Sequence, residues 1–446
     1  METPNETADT IFAIATPPGT GGIGVIRLSG PAVPDIARQV LGALPEPRHA
    51  RLASFLDAAG EAIDSGIALY FPAPASFTGE HVLELQGHGG SVVQQMLSRR
   101  LMELGVRPAR AGEFSERAFL NDKLDLAQAE AIADLVESGT AAAARAAQRS
   151  LAGVFSERVS ELLSQLTSLR VFVEAALDFP DEEIDFIADS DVAERLDKAI
   201  SDTRHLLAEA TQGRLLRDGV TIAIVGRPNA GKSSLLNALA GTDSAIVTDI
   251  PGTTRDVLRE TISIDGLPVH VADTAGIRES SDLIEAEGIR RARAALEQAD
   301  LALLVIDTAA PTGPQDGDEI PPGTAVIRVW NKIDIAGRPS SLEAGELCIS
   351  AKTGEGLDEL KAEIRARAGC APDQAGSFSA RSRHLDALRR TLEHLQTGAA
   401  QLQQGHAPEV LAEELRLAQR ALGEITGEFL PDDLLGAIFA SFCIGK

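Results

Sequence analysis

The residues from Gly226 to Ser233 have the sequence GRPNAGKS and match the pattern G-x-x-x-x-G-K-[ST]. They follow an apolar run, Val220–Val225, and precede a helical pattern, which is the context that this motif requires. Glycines let backbone N–H groups converge on phosphate oxygens at a helix N-terminus. Lys232 would add positive charge at the β- and γ-phosphates, and Ser233 would offer a hydroxyl to Mg²⁺. The motif therefore predicts a nucleoside triphosphate site.

Three more motifs follow predicted strands: Asp273-Thr-Ala-Gly276, Asn331-Lys-Ile-Asp334 and Ser350-Ala-Lys352. Asp273 would hold a water molecule of Mg²⁺, and the N–H of Gly276 could turn toward the γ-phosphate. The carboxylate of Asp334 can accept two N–H bonds from a guanine edge, which adenine cannot supply. In this order the motifs predict GTP. The predicted GTP-binding residues are Asn229, Ala230, Gly231, Lys232, Ser233, Ser234, Thr248, Asp249, Ile250, Pro251, Gly252, Thr253, Thr254, Asp273, Thr274, Ala275, Gly276, Asn331, Lys332, Asp334, Ser350, Ala351 and Lys352.

The segment from Thr248 to Asp256, between the first two motifs, reads TDIPGTTRD. A threonine there can complete Mg²⁺ coordination and sense the γ-phosphate, although the same residues could form an ordinary polar turn. Ile277 follows Asp-Thr-Ala-Gly at a position where a glutamine orients the attacking water in other GTPases. Because the side chain of Ile277 cannot form a hydrogen bond, another group must orient the attacking water. Glu285 is the candidate, and its alternative is a solvated residue at a helix start.

The chain has 446 residues, with 41 basic and 66 acidic side chains and a formal net charge of −25. Its 44% hydrophobic content is typical of globular proteins and excludes a disordered or collagen-like chain. The negative charge excludes a polycation that coats nucleic acid. Action on a polyanion would therefore need a local basic patch or a bound partner that overcomes the repulsion.

The cysteines Cys348, Cys370 and Cys443 are too few for a disulfide framework, and their spacing fits no zinc site. The N-terminus lacks the pattern of a signal peptide, and no run of 18 uncharged apolar residues occurs. We therefore expect no membrane span and a cytoplasmic location.

Hydrophobic periodicity and turn residues divide the chain into a predicted multidomain fold. Residues 1–121 alternate short strands and helices and predict an α+β domain. Residues 122–215 and 373–446 have helical periodicity and predict one discontinuous helical domain. Residues 216–372, inserted between them, alternate strand and helix and predict a Ras-like α/β domain with a P-loop.

Two other patterns are rejected. Gly19–Gly24 matches the dinucleotide-binding pattern G-x-G-x-x-G, but the residues that follow are strand-like, whereas a dinucleotide site needs a helix. Cys443 lies four residues from the end, as in a prenylation signal, but the terminal Lys446 and the absence of a polybasic flank do not fit that signal.

Together these features resemble the MnmE (TrmE) family of bacterial tRNA modification GTPases, over essentially the whole chain. The resemblance rests on the P-loop, the loop Gly252–Asp256 and the split helical domain. It also rests on blocks outside the GTPase motifs, namely Ala15–Gly19, Leu83–Gly90, Gly112–Arg117, Asn121–Leu126, Phe179–Asp185 and Phe442–Lys446.

This resemblance implies that the first domain forms a homodimer and binds a tetrahydrofolate one-carbon donor, a 5,10-methylene or 5-formyl derivative. Arg27, Glu84, Lys123 and Lys446 match the folate-contacting positions of the family. The resemblance also implies a partner, the FAD-dependent protein MnmG. With it, the family adds an aminomethyl or carboxymethylaminomethyl group at C5 of the tRNA wobble uridine. A role for Cys443 in the tail, chemical or in packing, stays open.

For hydrolysis, the resemblance implies G-domain dimerisation across the nucleotide, with K⁺ in place of an arginine finger. Asn229, Thr248, Ile250 and Thr253 match the K⁺-coordinating positions, and Ser233 and Thr254 match the Mg²⁺ ligands. Glu285 matches the acid that orients water, and Lys232 is the P-loop lysine.

Two other classes of GTPase remain as alternatives. An assembly factor that docks on ribosomal RNA would need a basic RNA-binding appendage, and the sequence shows none. A membrane-remodelling GTPase would need a basic or lipid-inserting tip, which is also absent from the sequence.

Overall fold

The computed structural model describes residues 9–178, 191–227, 229–241, 259–272, 296–297, 299–310, 320–337, 345–370, 378–403, 408–429, 432–442 and 445. Contacts divide the chain into two compact units. The first comprises residues 1–133 and 423–446, and the second comprises residues 134–422. Each unit encloses hydrophobic clusters of its own.

The first unit contains a six-stranded sheet in the order β3-β4-β5-β2-β1-β6, antiparallel except for the pairing of β1 with β6. Apolar residues alternate along β2 and β5, so that Ile26 and Leu85 face the core while Arg27 and Glu84 lie on the opposite face. The strands are β1 Ile11–Ile14, β2 Gly21–Ser29, β3 Arg51–Leu56, β4 Ala62–Phe71, β5 Val82–Gly89 and β6 Arg107–Pro108.

Two helices cover the core face of this sheet, α1 Val33–Leu41 and α2 Ser91–Glu103. The helix α1 has a proline in its first turn, where the missing N–H needs no partner. The other helices of the first unit are α3 Glu113–Leu120, the beginning of α4 Leu126–Glu137 and α13 Asp432–Ala440. Residues of α4 and α13, Leu126 and Phe439 among them, form a separate apolar cluster.

A buried ionic network ties α3 to the N-terminal strand region. The carboxylate of Glu113 accepts from Arg107 at 2.7 Å and from Arg117 at 3.1 Å, and Arg117 also donates to Asp9 at 2.6 Å and to Glu80 at 3.2 Å. The side chains of Glu113 and Arg117 are 3% and 4% exposed. Burial alone would raise the pKa of Glu113, but hydrogen bonds from Arg107, from a backbone N–H and from Arg117 lower it below its usual value.

Long helices form one part of the second unit. Because buried residues recur at helical spacing, α7 packs along α6, α5 and α11. These helices are the end of α4, α5 Ala141–Leu151, α6 Val154–Asp178, α7 Val192–Asp218, α11 Ser382–Gln403 and α12 Pro408–Gly423.

The α/β part of the second unit contains a second six-stranded sheet in the order β12-β11-β10-β7-β9-β8. All neighbours are parallel except the β8–β9 hairpin, which turns at Asp265 and Gly266. The strands are β7 Val220–Val225, β8 Arg259–Ile264, β9 Leu267–Ala272, β10 Leu301–Asp307, β11 Ala325–Asn331 and β12 Glu346–Cys348. The helices are α8 Lys232–Ala240, α9 Ile333–Ala336 and α10 Leu357–Arg367.

The β8–β9 hairpin contacts the helical part at two points. The hydroxyl of Thr140, which caps α5, donates to the carbonyl of Gly266 at 3.0 Å. The imidazole of His270 lies 3.0 Å from the hydroxyl of Thr261 and 3.0 Å from the carbonyl of Asp218, at the end of α7. The hairpin is therefore fixed to two helices, α5 and α7, that both precede the α/β part in the sequence.

The predicted fold class is confirmed: an α+β part, a helical part split in sequence, and an inserted parallel α/β part. Gly21–Gly24 begins β2, in agreement with the rejection of a dinucleotide site. The helical pattern of residues 124–176 forms three helices, because Thr140 and Gly153 interrupt it. The predicted domain limits of 1–121, 122–215, 216–372 and 373–446 stay predictions.

We predict that Glu113→Gln destabilises the first unit by about 3 kcal/mol at pH 7, because it removes one partner of a buried ion network. Since the folded-state pKa of Glu113 is lowered, its contribution is fully present above the unfolded-state value of 4.5 and is lost as the pH falls through the folded-state value. Hydrogen exchange of α3 amides, compared between variant and parent at pH 7 and at pH 4, measures this difference.

The matched control is Glu61→Gln, an exposed glutamate of the same sheet region, which should leave exchange unchanged at both pH values. A loss of protection in Glu113→Gln that is equally large at every pH down to 3 would contradict an electrostatic origin.

Candidate functional site

The P-loop connects β7 to α8, and its backbone requires two glycines. Gly226 has φ +145°, and a Cβ there would lie 2.3 Å from the carbonyl oxygen of Val305. Gly231 has φ +97°, and a Cβ there would lie 2.2 Å from Nδ2 of Asn331. A side chain at either position would clash with these atoms of β10 and β11, so the glycines let the loop approach the two strands closely. Pro228, within the loop, lies outside the described residues.

Lys232 is the first residue of α8, and its ammonium reaches back over the loop. It donates to the carbonyl of Gly226 at 2.7 Å and to that of Arg227 at 3.0 Å. Ser233 and Ser234 follow in the first turn of α8, and both are exposed. The start of α8 thus presents a positive charge, a hydroxyl and the positive end of the helix dipole on one surface.

Asn331, at the end of β11, joins the P-loop to the loop after β12. Its Nδ2 donates to the carbonyl of Ala230 at 2.9 Å, and its Oδ1 accepts from the N–H of Ala351 at 3.0 Å. The side chain is 2% exposed, so both bonds are shielded from water. The structure therefore brings together three predicted motifs, of which the P-loop lies about a hundred residues before the other two in the sequence.

Lys332 adds a second link. It has φ +71°, and its ammonium donates to the carbonyl of Asn229 at 2.6 Å and to the carboxylate of Asp307 at 2.6 Å. This hydrogen bond lowers the pKa of Asp307 below its usual value, so that the carboxylate stays charged beside Lys332. Asn229 has φ +65°, and its side chain is exposed beside the loop.

Sequence reasoning did not identify Asp307. The available signal was its position: it ends β10 and pairs in register with Asn331 on β11.

Asp334 and Ser350 meet where the base-recognition motifs were predicted. The hydroxyl of Ser350 donates to Oδ1 of Asp334 at 2.8 Å, which orients the carboxylate. Ser350 is buried, whereas Asp334 and Lys352 are exposed. An exposed carboxylate held by Ser350 offers the two acceptors that the N–H groups of a guanine edge require.

The folate-position residues lie in the first unit, and the structure brings two of them together. Arg27 and Glu84 face each other across β2 and β5, with Nη2 and Oε1 2.9 Å apart. The other carboxylate oxygen accepts from Gln86 at 3.2 Å, and Arg27 donates to the carbonyl of Gly445 in the tail at 3.4 Å. The pair is half-buried, with 26% and 17% exposure. Gln86 was not identified from the sequence.

Lys123 is exposed, and its ammonium forms no ion pair with the residues that the structure describes. The remaining predicted site residues lie outside the described residues, so their placement stays a prediction: Thr248, Asp249, Ile250, Pro251, Gly252, Thr253, Thr254, Asp273, Thr274, Ala275, Gly276, Glu285, Cys443 and Lys446.

Within the described part of the chain, no group of three or more His, Cys, Asp or Glu side chains could hold a metal ion. In the same part, no helix is both long and apolar enough to cross a membrane.

Two family models match the chain. Residues 10–123 match the model described as GTP-binding protein TrmE N-terminus, and residues 126–443 match the MnmE helical domain, which covers more than half of the chain. The chain belongs to the MnmE family. The predicted family is thus confirmed, and the match includes residues 10–123, which lie outside the GTPase motifs.

Similar proteins extend over nearly the full length. The tRNA modification GTPase MnmE of Alkalilimnicola ehrlichii is 57% identical over 442 residues, covering 98% of this chain and 99% of that protein. The protein of the same name from Thiobacillus denitrificans is 56% identical over 440 residues, covering 98% of each.

Solved structures are similar to a smaller part of the chain. Era of Aquifex aeolicus bound to GDP·AlF4⁻ is 29% identical, with a TM-score of 0.27, and covers 39% of this chain and 66% of that one. The G domain of the Thermotoga maritima FeoB iron transporter is 30% identical, with a TM-score of 0.26, and the match covers 33% of this chain and 98% of that one.

Proposed function

We propose that this chain binds and hydrolyses GTP and uses that cycle in the modification of tRNA. The observation that carries the proposal is the Asn331 amide, which joins the P-loop to the loop of Ser350 and Ala351 beside Asp334. In this proposal the P-loop is the phosphate cradle and Asp334 is part of the guanine-binding edge, and the two bonds of Asn331 support a fixed arrangement of both. Membership of the MnmE family connects this arrangement with tRNA modification.

In the proposed GTP complex, Asp334 accepts the two N–H bonds of the guanine edge, and a backbone N–H of the loop Ser350–Lys352 lies near the guanine oxygen. Lys232 exchanges its carbonyl partners for the β- and γ-phosphates, a stronger charge-assisted interaction. The exposed hydroxyl of Ser233 fits a Mg²⁺ ligand, and Thr254 is the proposed second ligand. Mg²⁺, when bound, would offset the negative charge of the phosphates.

We propose that the hydrolysis step uses Glu285 to orient the attacking water, because Ile277 has no hydrogen-bonding side chain. The proposed cation site consists of Asn229, Thr248, Ile250 and Thr253. The exposed amide of Asn229 fits such a site, because its backbone is fixed by Lys332 and its side chain points away from the protein core. K⁺, when bound, would place positive charge where other GTPases use an arginine. Two G domains would close on each other across the nucleotides.

For the modification step, we propose that the face of the first unit that carries Arg27 and Glu84 binds a tetrahydrofolate one-carbon donor. A half-buried carboxylate beside a guanidinium suits the polar edge of a pterin and a glutamate carboxylate. Lys123 and the tail residue Lys446 complete the proposed set, with Cys443 as a further tail residue.

We propose that the partners are a second copy of this chain, in a homodimer, together with MnmG and tRNA. With them, the chain would add an aminomethyl or carboxymethylaminomethyl group at C5 of the wobble uridine, in the cytoplasm.

The function is tested in a strain that lacks this chain, by mass spectrometry of nucleosides from its tRNA. We expect the modified wobble uridine to disappear and to return with the parent chain. Arg27→Ala should not restore it while GTP turnover of the purified variant stays within about twofold, because Arg27 lies outside the α/β part. The matched control, Arg38→Ala, changes an exposed arginine of the same unit and should restore the nucleoside. Unmodified tRNA in cells that carry the parent chain would refute the proposed function.

The base assignment predicts the effect of Asp334→Asn. The substitution replaces a double acceptor by a group that presents a donor, so GTP affinity should fall about a hundredfold and xanthosine triphosphate should be preferred. Titration with fluorescent analogues of both nucleotides measures the change. Unaltered preference for guanine would show that Asp334 does not read the base.

The cation site predicts that hydrolysis is much faster in KCl than in NaCl at equal ionic strength, which controls for screening. Asn229→Ala should remove most of this difference, and Asn229→Gly, which relaxes the positive φ, should do the same. GDP affinity should stay similar, because Lys232 and the backbone cradle remain. Arg255, in the segment from Thr248 to Asp256, is the alternative source of positive charge. Equal rates in both salts, or loss of turnover in Arg255→Ala with K⁺ present, would place the positive charge on this arginine instead.

A further inference from the structure

The helix α5 lies in a stretch that carries basic but no acidic residues, in a chain that is acidic overall. Between Glu137 and Glu157 the sequence contains no acidic residue, and its charged side chains are Arg145 and Arg149. Over the whole chain, acidic side chains outnumber basic ones by 66 to 41. This stretch therefore adds local positive charge to a molecule whose net charge of −25 repels polyanions.

Both arginines lie on the exposed side of α5. The helix buries Ala143, Ala146 and Ala147 against its neighbours, while Arg145, Arg149 and the adjacent Gln148 are exposed. A separation of four residues places the two arginines one above the other on the same face, about 6 Å apart along the axis.

Neither guanidinium forms a hydrogen bond or an ion pair with the described residues of the chain. By contrast, Arg217 and Arg381, in the same unit, both donate to the buried carboxylate of Asp134, at 2.8 and 2.7 Å. The arginines that hold this unit together are thus distinct from the two on α5. Arg145 and Arg149 therefore keep their donors available for an external acceptor, with no partner to displace among the residues that the structure describes.

The helix that presents them is fixed at both ends. At its start, Thr140 accepts from the N–H of Ala143 and donates to the carbonyl of Gly266 in the β8–β9 hairpin. At its end, the hydroxyl of Ser150 donates to the carbonyl of Ser379 at 3.0 Å and accepts from its N–H at 2.9 Å. Rigid anchoring lowers the entropy cost of binding through long side chains.

We propose that the exposed face of α5 contacts the phosphate backbone of the tRNA substrate. The inference rests on the proposed function, from which it takes the identity of the polyanion. A guanidinium binds a phosphate through two parallel N–H bonds, and neighbouring phosphates along one strand suit two arginines one helical turn apart. Such contacts position the RNA without reading its bases.

The test uses the full chain, an in vitro transcribed tRNA with uridine at the wobble position, and affinity measured at several KCl concentrations. The double variant Arg145→Gln/Arg149→Gln keeps helix propensity and removes two positive charges. The matched control, Arg389→Gln/Arg416→Gln, makes the same change of charge at exposed arginines that are already paired with Asp386 and Glu413.

We expect the α5 variant to bind tRNA about tenfold more weakly at 0.1 M salt. The slope of log affinity against log salt should fall in magnitude by about 1.4 to 1.8, as for the loss of two phosphate contacts. Arg145→Lys/Arg149→Lys should recover part of the affinity, and GTP turnover without tRNA should be unchanged in every variant. The control should bind like the parent.

Equal binding by the parent and the α5 variant would overturn this inference and leave the proposed function intact. Equal weakening in the control would also overturn it, because the effect would then reflect net charge alone. If the α5 variant lost association with the FAD-dependent partner while its tRNA affinity was unchanged, the face would be a protein-docking surface instead. Failure of the parent itself to bind tRNA would count against both the inference and the tRNA part of the proposed function.

Discussion

A domain inserted into a helical domain needs its entry and exit points to stay close together, and one buried carboxylate meets this requirement. Asp134, 4% exposed at the end of α4, accepts from Arg217 at the end of α7 and from Arg381 just before α11. Its second oxygen accepts from Ser379 at 3.2 Å. Arg217 thus lies just before the α/β part in the sequence and Arg381 just after it, and both bind the same carboxylate. Since a buried carboxylate without its partners is costly, this cluster favours one arrangement of the two chain segments that enter and leave the α/β part.

The sequence predicted most of the α/β part because its signals are local. Buried strands such as Val220–Val225 and Leu301–Asp307 are continuous apolar runs, and the P-loop lies directly after the first of them. The strand β3 was not predicted, because Arg51–Leu56 lies at a sheet edge with mostly exposed or half-buried side chains and has no clear alternation. The break before α5 was also not predicted, because an alanine-rich pattern hides the threonine cap at Thr140.

The candidate site shows the same division between local and non-local information. The residue types at Lys232, Asn331 and Asp334 follow from short patterns, but the bonds that join them depend on strand order. Asp307 could be recognised only once β10 and β11 were known to pair in register. The Arg27–Glu84 pair likewise depends on the register of β2 against β5, which no short motif encodes.

The contact between Gly231 and Asn331 also restricts how the chain can vary. A methyl group at position 231 would occupy the space of the Asn331 amide nitrogen. A smaller residue at 331 would relieve this clash but would lose the bonds to Ala230 and Ala351, and the φ of +97° at position 231 would still disfavour any side chain. Each single substitution is therefore unfavourable, and the double substitution removes the hydrogen bonds that join the P-loop to the loop after β12. We expect Gly231 and Asn331 to be retained together during evolution.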